Sequence, residues 1–212
     1  MKAQAHTRYK TKDGVMVPGV TTVLSILAKP ALIYWAWNLG MQKIDYRKMT
    51  DVAKDIGTLA HYFIECDIKG IKPDTSEFSS VEIDKAENAY LAWLDWKKEF
   101  GEIETVVSEE QLVCDTFGGT LDWVIRKGDE YILIDFKTSK SLYFEMPIQL
   151  SAYKYLWNIN YPDKKIETCY ILRIGKEDAE FEVKKYGNLD KEFKLFQILL
   201  DVYKLKKEIE NK

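Results

Sequence analysis

The chain has 212 residues, 46% apolar and 31% charged, with only 11 glycines and 5 prolines, which excludes disordered, collagen-like and low-complexity classes. No apolar run approaches the ~20 residues of a membrane-spanning helix. A net charge of −3, from 31 Lys+Arg against 34 Asp+Glu, is not that of a protein binding nucleic acid by global charge. Local patches set phosphate affinity, so a basic rim is compatible with an acidic total. Cys66, Cys114 and Cys169 are far apart with no C-x-x-C pair, which reads as free thiols in a reducing compartment and no cysteine-rich metal site. Met1–His6 is polar without an apolar signal core, so export and membrane association are not expected and the cytoplasm is the expected location.

In chain order, Arg8–Val17 predicts a hairpin with Asp13-Gly14 at its turn, broken by Pro18-Gly19. Thr21 or Thr22 is placed to cap a short helix through Leu27, and Pro30 to start a second carrying Tyr34, Trp35 and Trp37. Those aromatics read as core packing, with base stacking as the alternative. Val52, Ile56, Leu59 and Phe63 form a helical stripe over Asp51–Lys69, ended by Gly70. Ile83, Ala86, Tyr90, Trp93 and Phe100 mark another helix stopping at Gly101. The pattern then turns to strands over Thr105–Val113, Thr120–Arg126 and Tyr131–Lys137, the last apolar on both faces and therefore central. A helix over Glu145–Asn158, strands near Thr168–Ile174 and Ala179–Lys185, and a final amphipathic helix complete an α/β sandwich.

Asp135-Phe136-Lys137 carries most of the chemistry. Side chains alternate along a strand, so Asp135 and Lys137 share one face and Phe136 enters the opposite layer. A D-x-K alone is commonly a salt-bridged strand end. Here Gly118-Gly119-Thr120-Leu121-Asp122 opens the preceding strand, and pairing the two strands brings Asp122 and Asp135 together. Two carboxylates and a main-chain carbonyl, with Phe136 placed to give it, make a hard-oxygen site suited to Mg²⁺, and Lys137 beside it suits phosphodiester hydrolysis. Gln149 and Tyr153 lie four apart on one helical face, as do Gly57, His61 and Glu65. Gly57 inside a helix points to a close approach.

In order, Gly57-x-x-x-His61, Gly119-x-x-Asp122, Asp135-x-Lys137 and Gln149-x-x-x-Tyr153 resemble the PD-(D/E)XK nuclease superfamily, in its RecB-like exonuclease branch. Pro18–Leu24 is similar to the opening segment of the mitochondrial genome maintenance exonucleases and related phage enzymes. The resemblance implies a restriction-endonuclease-like α/β/α core with a small mixed sheet and extra N-terminal helices. It implies one nuclease domain over residues 1–212, with the hairpin and helices to residue 50 and the core from 51. It further implies Mg²⁺ or Mn²⁺ held by His61, Asp122, Asp135 and the Phe136 carbonyl, with Lys137 serving the attacking water and Gln149 and Tyr153 bracing the site.

Thr138, Ser139 and Lys140 would meet a phosphate. A further acid is expected from the preceding strand, Glu109 or Glu110 on opposite faces, with Glu109 preferred. The four cysteines that clamp an iron–sulfur cluster in some relatives are missing, so no cluster is expected. The implied activity is a DNA exonuclease in recombination, repair or phage DNA processing, in a bacterial or phage-infected cell, with DNA as partner and a recombination or annealing protein beside it. An endonuclease of the same fold and a non-catalytic DNA-end-binding module are the alternatives, and the oligomeric state is open. Lys140, Lys164, Lys165, Arg173, Lys176, Lys184 and Lys185 are the basic-rim candidates.

Overall fold

The computed structural model describes residues 8–211, so the polar opening Met1–His6 lies outside the described residues. A small hairpin, β1 (Tyr9–Lys10) and β2 (Met16–Val17), is followed by helices α1 (Val20–Leu24), α2 (Pro30–Met41), α3 (Tyr46–Lys69) and α4 (Ser80–Phe100). Then come β3 (Glu104–Val113), β4 (Gly118–Lys127), β5 (Glu130–Lys137), α5 (Glu145–Asn160), β6 (Ile166–Ile174), β7 (Phe181–Tyr186) and α6 (Asp190–Glu210). The five long strands form one sheet in the order β3-β4-β5-β6-β7. β5 and β6 are parallel, joined by the α5 crossover, and the other neighbours are antiparallel. Among the described residues no helix is long and apolar enough to cross a membrane.

Both faces of the sheet are covered, giving an α/β/α arrangement. β5 is the central strand, as its two apolar faces require. Ile132, Ile134 and Phe136 pack with Trp93, Trp96 and the α3 residues Leu59 and Phe63. Leu133, on the opposite face, packs with Leu150, Leu156, Trp157 and Phe196 of α5 and α6. Trp123 of β4 touches Trp93 and Trp96, with ring centroids 6.2 Å apart in each pair.

Helix ends follow local chemistry, with differences from the sequence reading. α4 has a full capping box between Ser79 and Glu82, and Gly70 closes α3 at φ 65°. α3 starts at Tyr46, ahead of the expected Asp51, because the Asp45 carboxylate accepts the Arg47 N–H at 2.9 Å. Its first turns are exposed throughout, Val52 included, so no apolar stripe marks them. α1 ends at Leu24, and neither threonine caps it. Its N-cap is Gly19, which bridges in parallel to Gly118, while the Gly118 N–H donates to the Pro18 carbonyl at 3.0 Å. The Tyr9 ring lies over both glycines, where an added Cβ would sit 2.5 Å from its Cγ at Gly118 and 2.8 Å from its Cε2 at Gly19. The hairpin is thereby strapped across the start of β4.

Candidate active site

The β4–β5 ladder ends at Trp123 opposite Ile134. Beyond it Asp122 does not continue the backbone pairing; its Oδ2 accepts the Phe136 N–H at 2.7 Å. This bond keeps the two strand-end acids together. Asp135 is fully buried and forms an ion pair with Lys137 Nζ; it has no other hydrogen-bond partner among the described residues. Burial pushes the Asp135 carboxyl up to about 6, with Lys137 pulling the other way. Burial lowers the Lys137 ammonium, but Asp135 and Asp122 outweigh it and the net shift is upward, so the lysine stays charged.

β3 supplies a third acid through a kink. Between the pairs Ser108–Trp123 and Glu110–Leu121, Glu109 adopts φ 54°, a left-handed conformation that costs a non-glycine residue about 1–2 kcal/mol. Its carboxylate thereby reaches His61 and Asp122, and one donor atom from each of the three lies within 4.8 Å of the others. Glu110 turns elsewhere and accepts the Tyr161 hydroxyl at 2.9 Å. Burial, then Asp122 and Glu65, raise Glu109 to about 8. Burial likewise raises Asp122, against the pull of Lys137.

His61 enters from α3, its ring edge-on to Phe136 at 5.9 Å and its Nδ1 3.9 Å from Asp122 Oδ2. Burial and then Lys137 hold it down to about 4, so the imidazole is neutral and keeps a lone pair. These residues suit a divalent cation: a neutral imidazole, two to three crowded carboxylates with raised pKa values, and an Asp135 Oδ1 with no partner. The Phe136 N–H, rather than its carbonyl, is the group seen bonded within the cluster.

On α5, Gln149 Nε2 donates to the Tyr153 hydroxyl at 2.8 Å. Tyr153 packs against Gly119, where an added Cβ would lie 2.6 Å from its Cε1. Burial and then Asp135 and Asp122 push its hydroxyl well above the ordinary tyrosine value. Gly57 is approached by Thr138, whose Oγ1 would be 2.9 Å from an added Cβ. Ser139 Oγ is turned into its own loop, donating to the Ser141 carbonyl at 2.8 Å, and Lys140 is exposed.

The structure separates the basic-rim candidates. Register along β5 and β6 puts Lys137 opposite Arg173 and Tyr131 opposite Ile166. Lys164 and Lys165, just before Ile166, are therefore at the far end of the sheet, about 20 Å away at the ordinary strand rise. Arg173 is nearly buried and pairs with Glu182 at 3.2 Å and Asp178 at 4.0 Å. Lys184 and Lys185 lie opposite Ile171 and Tyr170 on the edge strand. Lys140 and Lys176 are the candidates at the end that carries the acids.

The α2 aromatics are not core residues: Tyr34 is 71% exposed and Trp37 63%. The uncharged helix offers no salt-bridge pattern that separates exposure from burial. Two further residues carry no sequence signal. Glu145, first in α5, pairs with Lys29 at 2.6 Å and adds to the field at Lys137, and Tyr9 bonds Thr120 Oγ1 at 2.9 Å beside Gly118 and Gly119, which are paired strand residues of β4 rather than a turn.

No protein-family model matches the sequence, and no curated protein matches it. Among solved structures, the crystal structure of SSO0001 is similar with TM-score 0.38 and 17% identity, over 73% of this chain and 74% of that one. LHK-Exo in complex with dAMP gives 0.37 and 12% over 75% and 86% of the two chains. An alkaline exonuclease (LHK-Exo) from Laribacter hongkongensis gives 0.32 and 13% over 72% and 84%. These likenesses are distant, and the functional reading rests on the residues of the site.

Proposed function

We propose that the protein is a Mg²⁺- or Mn²⁺-dependent deoxyribonuclease that hydrolyses phosphodiester bonds from DNA ends. The convergence of Asp122, Asp135 and Lys137 at the open end of the β4–β5 ladder, with Glu109 and His61 facing them, carries the reading. Asp122, Glu109 and His61 would hold the ion, with Asp135, whose Oδ1 has no partner, as a further ligand. Once bound, it would supply Lewis acidity to the phosphate and lower the pKa of a water.

The chain's own groups do the rest. Lys137 keeps its proton beside Asp135 and presents positive charge where negative charge grows on the phosphoryl oxygens. The Gln149–Tyr153 pair fixes the floor of the site behind Gly119. The exposed rings of Tyr34 and Trp37 offer stacking surfaces for single-stranded bases. Following the resemblance, the setting is recombination, repair or phage DNA processing in the cytoplasm, beside a recombination or annealing protein.

The test incubates purified protein with linear single-stranded, linear duplex and closed circular DNA in Mg²⁺, Mn²⁺ or EDTA. Metal-dependent loss of the linear substrates alone supports the proposal. Cutting of circles replaces it with an endonuclease. Binding without cleavage in either metal replaces it with a DNA-end-binding module.

A further inference from the structure

We infer that Lys176 and Lys140, with the Thr138 hydroxyl between the site and them, form a subsite for phosphates of the nucleic-acid strand next to the one being cleaved. The inference rests on the nuclease reading and extends it to a loop, the β6–β7 turn, that the motifs do not include.

Ala53, Gly57 and His61 are spaced four apart on α3 and so line one face of it, about 5.4 Å per turn. At His61 the face meets the acids. One turn earlier it meets Thr138, whose hydroxyl fills the space a Cβ on Gly57 would take. One turn earlier again, Lys176 Nζ donates to the Ala53 carbonyl at 3.2 Å. The loop after β5 thus packs against α3 at Gly57 and the loop after β6 is hydrogen-bonded to it one turn earlier, so a line runs from the acids past Thr138 to Lys176.

Charge along that line is unbalanced. Lys176 is half-buried, and burial together with Lys85 and Lys140 holds its ammonium below the usual value, against the pull of Glu177. Glu177 is already engaged, with Lys85 donating to both its oxygens at 2.7 and 2.9 Å. Arg173 is likewise taken by Glu182 and Asp178. Lys140 has no ion pair among the described residues. Lys140 and Lys176 are thus left without a carboxylate that is not already held by another cation, and an incoming anion is favoured beside them. A phosphodiester is the anion of suitable chemistry beside a phosphodiester-cleaving site, and a chain of them would follow the line.

The experiment measures anisotropy of a labelled single-stranded oligonucleotide in EDTA over a salt series. It compares wild type with Lys140→Ala, Lys176→Gln, the double variant and Lys164→Ala/Lys165→Ala. Each site-end substitution is expected to weaken binding several-fold at low salt and to reduce the log–log salt slope by about 0.7. The effect is the same for different base sequences, and the far-end double variant is unchanged. Wild-type slope and affinity in the Lys140→Ala/Lys176→Gln protein overturn the inference, as does release of the oligonucleotide from every variant alike by inorganic phosphate. Lys140 is exposed, so its variant decides the matter if Lys176→Gln alters the melting temperature. Cleavage by wild type is scored separately. A reduced slope in a protein that cuts nothing retires the nuclease reading and keeps the subsite, whereas cutting with an unchanged slope does the reverse.

Discussion

The Asp122 carboxylate accepts the Phe136 N–H at 2.7 Å, so an acid of β4 is bound to the backbone between the acid and the lysine of β5. Asp122, Asp135 and Lys137 are therefore linked by one hydrogen bond and one ion pair, so substituting any of them is expected to disturb the others.

Lys137→Met should abolish cleavage while leaving DNA binding in EDTA nearly intact. Removing one member of a buried ion pair ordinarily costs about 3–5 kcal/mol. Asp135, with its carboxyl already at about 6, escapes part of that cost by taking a proton. Chemical denaturation should show a small loss for Lys137→Met near pH ~5 and a larger one near pH ~8. A loss independent of pH would show that the pair is not coupled in this way.

Stability of the metal-free protein should fall as pH rises. Glu109 has its folded value near 8 and Asp135 near 6, both raised above their ordinary values by burial. The stability each protonated carboxyl contributes is complete below the unfolded value and lost as pH passes the folded one. His61, lowered from 6.5 to about 4, acts oppositely: its contribution is lost as pH falls through that window. Melting temperature in EDTA should decline between pH ~6 and ~8, and Mg²⁺ or Mn²⁺ should restore it at the upper end. Glu109→Gln should flatten the decline.

Glu109→Gly should separate stability from function. The substitution removes both a left-handed non-glycine conformation and a half-buried carboxylate whose pKa is raised. In EDTA at pH ~8 the variant should be more stable than wild type by about 1 kcal/mol or more. With metal it should gain less stability than wild type and should not cleave. Calorimetric melts with and without Mn²⁺ check both.

Two glycines should respond differently to alanine. At Gly119 the new methyl meets the ring of buried Tyr153, and overpacking there should cost about 1–3 kcal/mol together with activity. At Gly57 it meets only the Thr138 hydroxyl, a single side-chain atom that a change of χ1 can withdraw. Gly57→Ala should keep or raise stability, by up to about 1 kcal/mol, while weakening DNA binding.

Much of this arrangement was legible in the sequence. The doubly apolar run before Asp135 placed β5 at the sheet centre, and Gly57 inside a helix marked a close approach, which Thr138 makes, whereas the approach of Tyr9 and Tyr153 to Gly118 and Gly119 was not legible. Less was legible where tertiary structure decides. α3 begins early because of a cap and exposed turns that carry no apolar period. The choice of Glu109 over Glu110 as the residue facing His61 depends on one left-handed residue. Lys164 and Lys165 fall away from the site because β6 runs parallel to β5, a fact of topology that charge counting misses. Val52 and the α2 aromatics read as buried by type, yet they are exposed because that helix and the first turns of α3 stand clear of the sheet.

The α2 rings lend themselves to a direct comparison. Tyr34→Ala and Trp37→Ala should change stability by no more than about 0.5 kcal/mol, as exposed positions do. Affinity for single-stranded DNA should fall by about 1–3 kcal/mol per stacked base, with a smaller effect on duplex. Equal losses on both substrates would remove stacking from the account.

Calorimetric titration of Mn²⁺ into the metal-free protein at pH ~8, in buffers of different ionisation enthalpy, decides whether His61, Glu109 and Asp122 form a cation site. Saturable binding with release of protons from the raised carboxyls is expected, abolished in Asp122→Asn and weakened in His61→Ala. Absence of binding, or binding that persists unchanged in Asp122→Asn, would contradict such a site.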